Sequence, residues 1–215
     1  MLSTRVQATS SKFRPNSVEG GKDQSPTRDK CIREITFSDG GVYDNLGLEP
    51  IWKNHEIVLS SDGGALFQIG GDTGFAWETG RYIGIPENQA LALRKRWLIS
   101  NFVAGQMKGT YWGIGGTVRE YGFDRGYSEE LVKGFIARIR TDLDSFSEAE
   151  ACVLENHGYM LADAAIRKHI PDLMGTEMPE IQVPHSDWLD EEKIKTALKD
   201  SSRRTLLGHS HFVGN

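Results

Sequence analysis

The chain has 215 residues, 38% hydrophobic and 26% charged, with a formal net charge of −5. That length supports a domain with a real core, and the composition is that of a folded chain and not a disordered one. The acidic balance excludes a general electrostatic attraction to nucleic acid or anionic lipid, and no apolar run approaches the roughly 20 residues that cross a bilayer.

The N-terminal stretch MLSTRVQATSSKFRPNSVEGG has no apolar h-region, so no secretory signal is expected. Cys31 and Cys152 match no metal or redox spacing. Two isolated thiols suit a reducing compartment, and the expected location is cytoplasmic or peripheral to a membrane. Residues 1–30 are rich in Ser, Thr, Lys, Arg, Gly and Pro and hold almost no periodic apolar residues. They read as a loop or disordered arm, with weak contact to an anionic surface as the functional alternative.

Ordered signals start at Ile32. In CIREITF, Ile35 and Phe37 alternate as in a strand that runs into Ser38-Asp39-Gly40-Gly41. DNLGLEPIWKN fits about one helical turn. HEIVLSS places Ile57, Val58 and Leu59 in succession, the pattern of a strand buried on both faces of a parallel sheet. Residues 61–84 are glycine-rich and read as a long surface loop. Pro86 then opens a helix over ENQALALRKRWLISNFVAG, with Leu91, Leu98 and Phe102 near one face and Gly105 as its stop. Arg94, Lys95 and Arg96 form a basic turn that reads as a solvated face, with a phosphate or headgroup contact as the alternative.

GTYWGIGGTV reads as a short strand punctuated by glycine. SEELVKGFIARIRTDL reads as an amphipathic helix capped by Ser128, with Leu131, Phe135 and Ile139 on its buried stripe. Ser147 and Glu150 have capping-box spacing ahead of a long helix. Leu154, Gly158, Leu161 and Ala165 share a face of it, and Met160 joins the core. Arg167, Lys168 and His169 complement its C-terminal dipole, and Pro171 ends it. Beyond it, a polar tail over 172–215 holds one weak helix from Asp190 to Lys199. The order of elements predicts an α/β fold with helices covering a sheet, its ordered body over 31–171.

The tetrapeptide SDGG occurs twice, at Ser38–Gly41 and Ser61–Gly64. An aspartate before two glycines is turn chemistry, because Asp accepts backbone hydrogen bonds and Gly supplies positive φ. It is also a way to present a carboxylate at the carboxyl edge of a sheet, where α/β proteins bind ligands. The first copy continues as Asp39-Gly40-Gly41-Val42-Tyr43-Asp44-Asn45-Leu46-Gly47. This series resembles the aspartate block of the bacterial patatin-like phospholipases. The resemblance runs on through GLEPIW, EIVLSSDGG, RKRWLISNF, GTYWGIG, IRTDL, FSEAE and LENHGYMLADAAI, from Ile32 to Pro171.

The resemblance implies an α/β/α sandwich that hydrolyses ester bonds of phospholipids or other acyl lipids without a metal or other cofactor. In that family a serine in G-x-S-x-G attacks, a dyad aspartate accepts its proton, and a glycine-rich loop stabilises the oxyanion. All three parts are needed, since a serine hydroxyl is a weak nucleophile without a base and the oxyanion needs preorganised donors. By the resemblance Asp39 is the proton acceptor. Gly40 and Gly41 allow close approach to the serine elbow, and Tyr43, Asp44 and Asn45 fix the following turn.

The chain departs from the family in two respects: it shows no G-x-S-x-G serine elbow and no glycine-rich oxyanion block ahead of one. Gly126-Tyr127-Ser128-Glu129-Glu130 and Gly208-His209-Ser210-His211-Phe212 both lack the second glycine of G-x-S-x-G. The expectation is therefore the C-terminal portion of a patatin-like domain: an incomplete sheet with covering helices, carrying Asp39 and inactive alone. The nucleophile and oxyanion loop would come from upstream sequence or from a partner chain. A sheet cut in this way exposes a strand edge and an apolar face. The expected partners are an acyl lipid or ester substrate once the site is complete, and a transient membrane surface. No nucleic acid and no transmembrane segment are expected. The alternative is a non-catalytic remnant or interaction module that keeps the α/β scaffold.

The remaining candidates read as structural. His157 lies mid-helix as a core or helix-surface residue, and His209 and His211 lie in a solvated tail. Asp39 and Asp44 lack the ligand spacing of an EF-hand calcium site. Asp62, in the second SDGG, reads as a strand end whose carboxylate serves loop geometry.

Overall fold

The structure, a computed structural model, describes residues 4–7, 26, 34–37, 44–64, 75–140, 145–175 and 180–201. The chain divides into two compact units, Met1–Gly47 and Leu48–Asn215. In the first unit, β1 (Thr4–Gln7) pairs antiparallel with β2 (Glu34–Phe37), Thr4 opposite Phe37 and Gln7 opposite Glu34. β1 falls inside the segment read as a loop. Four residues with one strong apolar side chain give no periodic signal, and the strand exists through its distant partner. Asp39, Gly40 and Gly41 lie outside the described residues. The corner after them closes at Gly47, whose φ is +61° and whose N–H donates to the Asp44 carbonyl at 3.0 Å.

The second unit is mixed α/β. β3 (Ile57–Asp62) pairs in parallel with β4 (Lys108–Gly113), and between them runs α1 (Phe75–Val103). α2 (Glu129–Gly134), α3 (Glu148–His169) and α4 (Glu191–Leu198) follow. Among the described residues, no helix is long and apolar enough to cross a membrane.

Helices cover opposite faces of the parallel pair. Successive strand side chains point to opposite sides. Tyr111 reaches Asp62, which is ion-paired to Lys95 of α1. Trp112, one residue on, packs against the cluster that includes Val153, Met160 and Leu161 of α3. β3 alternates accordingly: Val58, Ser60 and Asp62 are buried, whereas Leu59 is 44% exposed. The strand is thus buried on one face and not on both. α3 covers β4, and Leu59 extends beyond that cover.

α1 starts eleven residues before Pro86, inside the stretch read as loop. A helix-interior proline removes one backbone donor and costs about 3 kcal/mol. The helix continues through it, and the Asn88 amide donates to the Gly84 carbonyl at 2.7 Å beside the break. Its end agrees with expectation: Gly105, at φ +67°, donates its N–H to the Phe102 carbonyl at 3.1 Å. α2 is shorter than the amphipathic pattern suggests. It stops at Gly134, Phe135 turns to φ −129°, and a 3₁₀ turn over Ile136–Arg138 follows. Breaking there lets Leu131, Val132, Ile136 and Ile139 all reach the core.

α3 is the spine of the unit. Ser147 and Glu150 form the capping box: the Glu150 N–H donates to Ser147 Oγ at 3.3 Å, and the Ser147 N–H donates to Glu150 Oε2 at 2.6 Å. Its buried face carries Val153, Met160, Leu161, Ala164 and Ala165. The segment read as a polar tail is built into this core. α4 buries Ile194 and Leu198, and Asp190 caps it by accepting from the Glu192 and Lys193 N–H groups. Asn156, buried on α3, donates to the His185 carbonyl at 2.8 Å and accepts from the His185 N–H at 2.9 Å. Ser201 donates to the buried Glu150 carboxylate.

Gly109 sets how closely β3, β4 and α1 approach. Its φ is +153°, and a Cβ there would lie 2.0 Å from the Val58 carbonyl oxygen and 2.6 Å from the Phe102 ring. Gly109→Ala is expected to cost about 2–4 kcal/mol, since both backbone conformation and packing oppose it. Urea unfolding followed by circular dichroism measures this, and a change under about 0.5 kcal/mol contradicts the packing described.

Candidate functional site

The parallel register brings two polar side chains together at the carboxyl end of the strand pair, and α1 adds a third. Asp62 stands opposite Gly113, and Tyr111 stands two residues back on the same face. Gly113 has no side chain, and a Cβ there would meet the Tyr111 hydroxyl at 3.2 Å. α1 supplies Lys95 from above.

Asp62 is 6% exposed. Its Oδ1 accepts the Gly64 N–H at 3.0 Å. Its Oδ2 accepts the Tyr111 hydroxyl at 2.8 Å and pairs with Lys95 Nζ. Burial acts to raise the pKa of Asp62. The bonds from Lys95, Tyr111 and the Gly64 N–H outweigh it and hold the carboxyl below its ordinary range. The Tyr111 phenol moves upward, through burial first and then its bond to the carboxylate. The Lys95 ammonium also lies 5.8 Å from the centre of the Tyr111 ring.

These groups line a cleft of about 510 Å³ with Asn88, Glu120 and Tyr121 beside them, closed by the run Gly113–Gly116. That run is held from the other side of the sheet. His157 of α3 is buried, and its Nε2 lies 2.8 Å from the Ile114 carbonyl, so the neutral ring donates there. Burial pushes the His157 pKa below its ordinary value, against the backbone hydrogen bond. Tyr121 donates to the Tyr111 carbonyl at 3.0 Å.

Chemically, the trio is self-satisfied. A carboxylate with a lowered pKa is a weak base, and a phenol with a raised one is a weak acid. Asp62 serves loop geometry through Gly64, as read from its sequence, but it does more. Lys95, read as part of a solvated basic turn, is its counter-ion. Nothing in the linear spacing of Asp62, Lys95 and Tyr111 announces the contact, and the repeat of SDGG after an apolar run is the one signal that points to Asp62.

The other serine and histidine candidates have structural partners. Ser128 Oγ accepts the Leu131 N–H at 3.2 Å and donates to Glu191 Oε2 at 2.6 Å. Ser147 is occupied in the capping box. His209, Ser210 and His211 lie outside the described residues. Among the described residues, no cluster of His, Cys, Asp and Glu is arranged to hold a metal ion.

No family model, curated protein or solved structure matches this chain. The site therefore rests on its own chemistry.

That chemistry has a pH signature. The lowered folded pKa of Asp62 gives stability that is fully present above the unfolded carboxyl value near about 4 and is lost as pH falls through the folded pKa. The raised Tyr111 pKa gives stability that is present below about pH 10 and lost as pH rises further. Asp62→Asn leaves Lys95 without its counter-ion and is expected to cost about 2–3 kcal/mol at pH 7. It should also flatten the acid limb of the stability profile. Lys95→Met should raise the Asp62 pKa in an NMR titration, and an unmoved titration contradicts the ion pair.

Proposed function

We propose that the chain is the C-terminal portion of a patatin-like serine acyl hydrolase, contributing Asp39 as the proton acceptor of a Ser–Asp dyad. The observation that carries this reading is the ordered series of blocks from Asp39-Gly40-Gly41-Val42-Tyr43-Asp44-Asn45-Leu46-Gly47 to LENHGYMLADAAI. The architecture supports it. β3, α1 and β4 form a parallel crossover, with α1 on one face of the pair and α3 on the other. Layers of this kind are what an α/β/α sandwich requires.

On this reading the substrate is an acyl lipid or ester, and the reaction is hydrolysis through an acyl-serine intermediate. The serine oxygen attacks the carbonyl carbon as Asp39 takes its proton. Backbone donors receive the developing oxyanion, and the alcohol leaves with the proton that Asp39 returns to its oxygen. Water then releases the fatty acid from the serine. Gly40 and Gly41, beside Asp39, leave room for the serine elbow to approach.

The test joins this chain to upstream coding sequence that carries a glycine-rich loop and G-x-S-x-G, and assays short-chain nitrophenyl esters and phospholipid vesicles. The chain alone is expected to give background hydrolysis. The joined protein is expected to be active, and Asp39→Ala should lower its rate about 10³–10⁴-fold. Hydrolysis that survives Asp39→Ala, by either protein, overturns the assignment.

A further inference from the structure

The Gly113–Gly116 run walls the cleft around Asp62, and a histidine holds it from behind. His157 is 3% exposed, and its Nε2 donates to the Ile114 carbonyl at 2.8 Å. Two backbone bonds also hold the run: the Ile114 N–H donates to the Asp62 carbonyl at 2.9 Å, and the Gly116 N–H to the Gly113 carbonyl at 2.8 Å. Three of its four residues are glycine, so its backbone has more conformations open to it than any neighbouring element.

The neutral ring suits this place and the charged ring does not. Val153 and Leu161, on the buried face of α3 beside His157, offer no acceptor to a second ring N–H. Other elements packed on α3 bring titratable groups, and each is engaged elsewhere. The Tyr127 ring centre lies 6.1 Å from that of His157, but its hydroxyl donates to the Trp188 carbonyl. Glu120 accepts the Thr117 N–H, Tyr121 donates to the Tyr111 carbonyl, His185 pairs with Glu155, and Glu191 accepts from Ser128. Burial and the Ile114 bond alone govern the titration of His157, with no charged group of the described residues bearing on it. The bond to Ile114 persists in the charged ring. What fails is the burial of a charge without a counter-ion, and only access to water relieves that. Of the two elements that meet at His157, α3 is a 22-residue helix fixed by its capping box. The glycine run is the one free to move.

We propose that His157 is a pH-sensitive latch: its neutral ring keeps the Gly113–Gly116 run closed on α3, and its protonation releases the run and opens the wall of the cleft. A released ring takes up its proton near the ordinary histidine value of about 6.5, whereas the latched ring does so only at lower pH. The latch is therefore fully held above about pH 6.5, weakens as pH falls through that value, and levels off below the latched pKa. Between pH 8 and pH 5 the released state gains up to about thirtyfold in population. The proposal is independent of the acyl hydrolase reading and uses no residue of its dyad.

The test is hydrogen exchange of single amides, read by NMR on the full chain from pH 8 to pH 5 and at several low urea concentrations. After correction for intrinsic rates, the Ile114 and Gly116 amides are expected to exchange up to about thirtyfold faster at pH 5. Their exchange should be nearly indifferent to urea, because a local opening exposes little surface. The Leu161 amide of α3 should exchange more slowly and accelerate with urea. His157→Gln keeps a neutral donor, and it is expected to abolish the pH dependence at Ile114 and Gly116 while His55, His169 and His185 stay in place. Protection of the run that does not change with pH overturns the proposal. So does a urea dependence at Ile114 and Gly116 equal to that at Leu161, or a pH dependence that survives His157→Gln. The first two outcomes are read on the unaltered chain, so they decide the matter even where the variant does not fold.

Discussion

The Asp62 carboxylate is the point on which the parallel pair and its covering helix agree. A carboxylate at 6% exposure costs several kcal/mol unless it is paired and hydrogen-bonded. Its partners come from three places: the turn it leads into, the neighbouring strand and α1. A one-residue slip of β3 against β4 would turn Asp62 to the opposite face, away from Lys95. The carboxylate therefore selects register in a sheet that has only two described strands and little else to define it. Gly109 acts at the other end of the same pair, where the close approach of Val58 and Phe102 tolerates no side chain.

A second set of buried polar groups binds the residues after α3 to the core. Asn156 meets both backbone groups of His185, and Tyr127 donates to the Trp188 carbonyl at 2.5 Å. Glu150, at the start of α3, receives the Ser147 N–H and the Ser201 hydroxyl while Arg140 stands at 4.0 Å. Burial acts to raise its pKa, and these bonds together with Arg140 bring it below the ordinary value. Such groups are satisfied only in one arrangement, so they specify where the chain returns more sharply than apolar contact does.

Much of this was legible in the linear sequence, and the reasons are local. The Ser147–Glu150 capping box and the Gly105 stop follow from spacing and propensity alone, whereas the buried face of α3 is centred on Val153, His157, Met160 and Ala164 and shares only Leu161 and Ala165 with the expected stripe of Leu154, Gly158, Leu161 and Ala165. The strands β3 and β4 follow from short apolar or β-branched runs beside glycine. Four features were not legible, the strand β1 among them. α1 runs through Pro86 because tertiary cover and local bonds offset what the residue costs in isolation. The helix expected over Asp190 to Lys199 is present as α4, but its place in the core through Ile194 and Leu198 was not legible, since an isolated eight-residue helix has little stability of its own. The Lys95 counter-ion requires two segments to meet across a strand, and sequence spacing carries no record of that. Asp39 stands apart: its reading rests on the series of residues that follows it, and Asp39 itself lies outside the described residues.

The closure of the α3 core by Ser201 has a consequence for biosynthesis. The bond from Ser201 to Glu150 spans 51 residues, and α4 lies within that span. A chain made from its N-terminus presents α3 well before α4 and Ser201 have left the ribosome. During that interval the face of Val153, Met160 and Leu161 lacks the cover of Ile194 and Leu198, and Glu150 lacks one of its donors. The nascent chain thus passes through a stage with an apolar helix face open to solvent, when a chaperone has the most surface to hold. Folding of this unit waits on a segment whose composition alone marks it as dispensable.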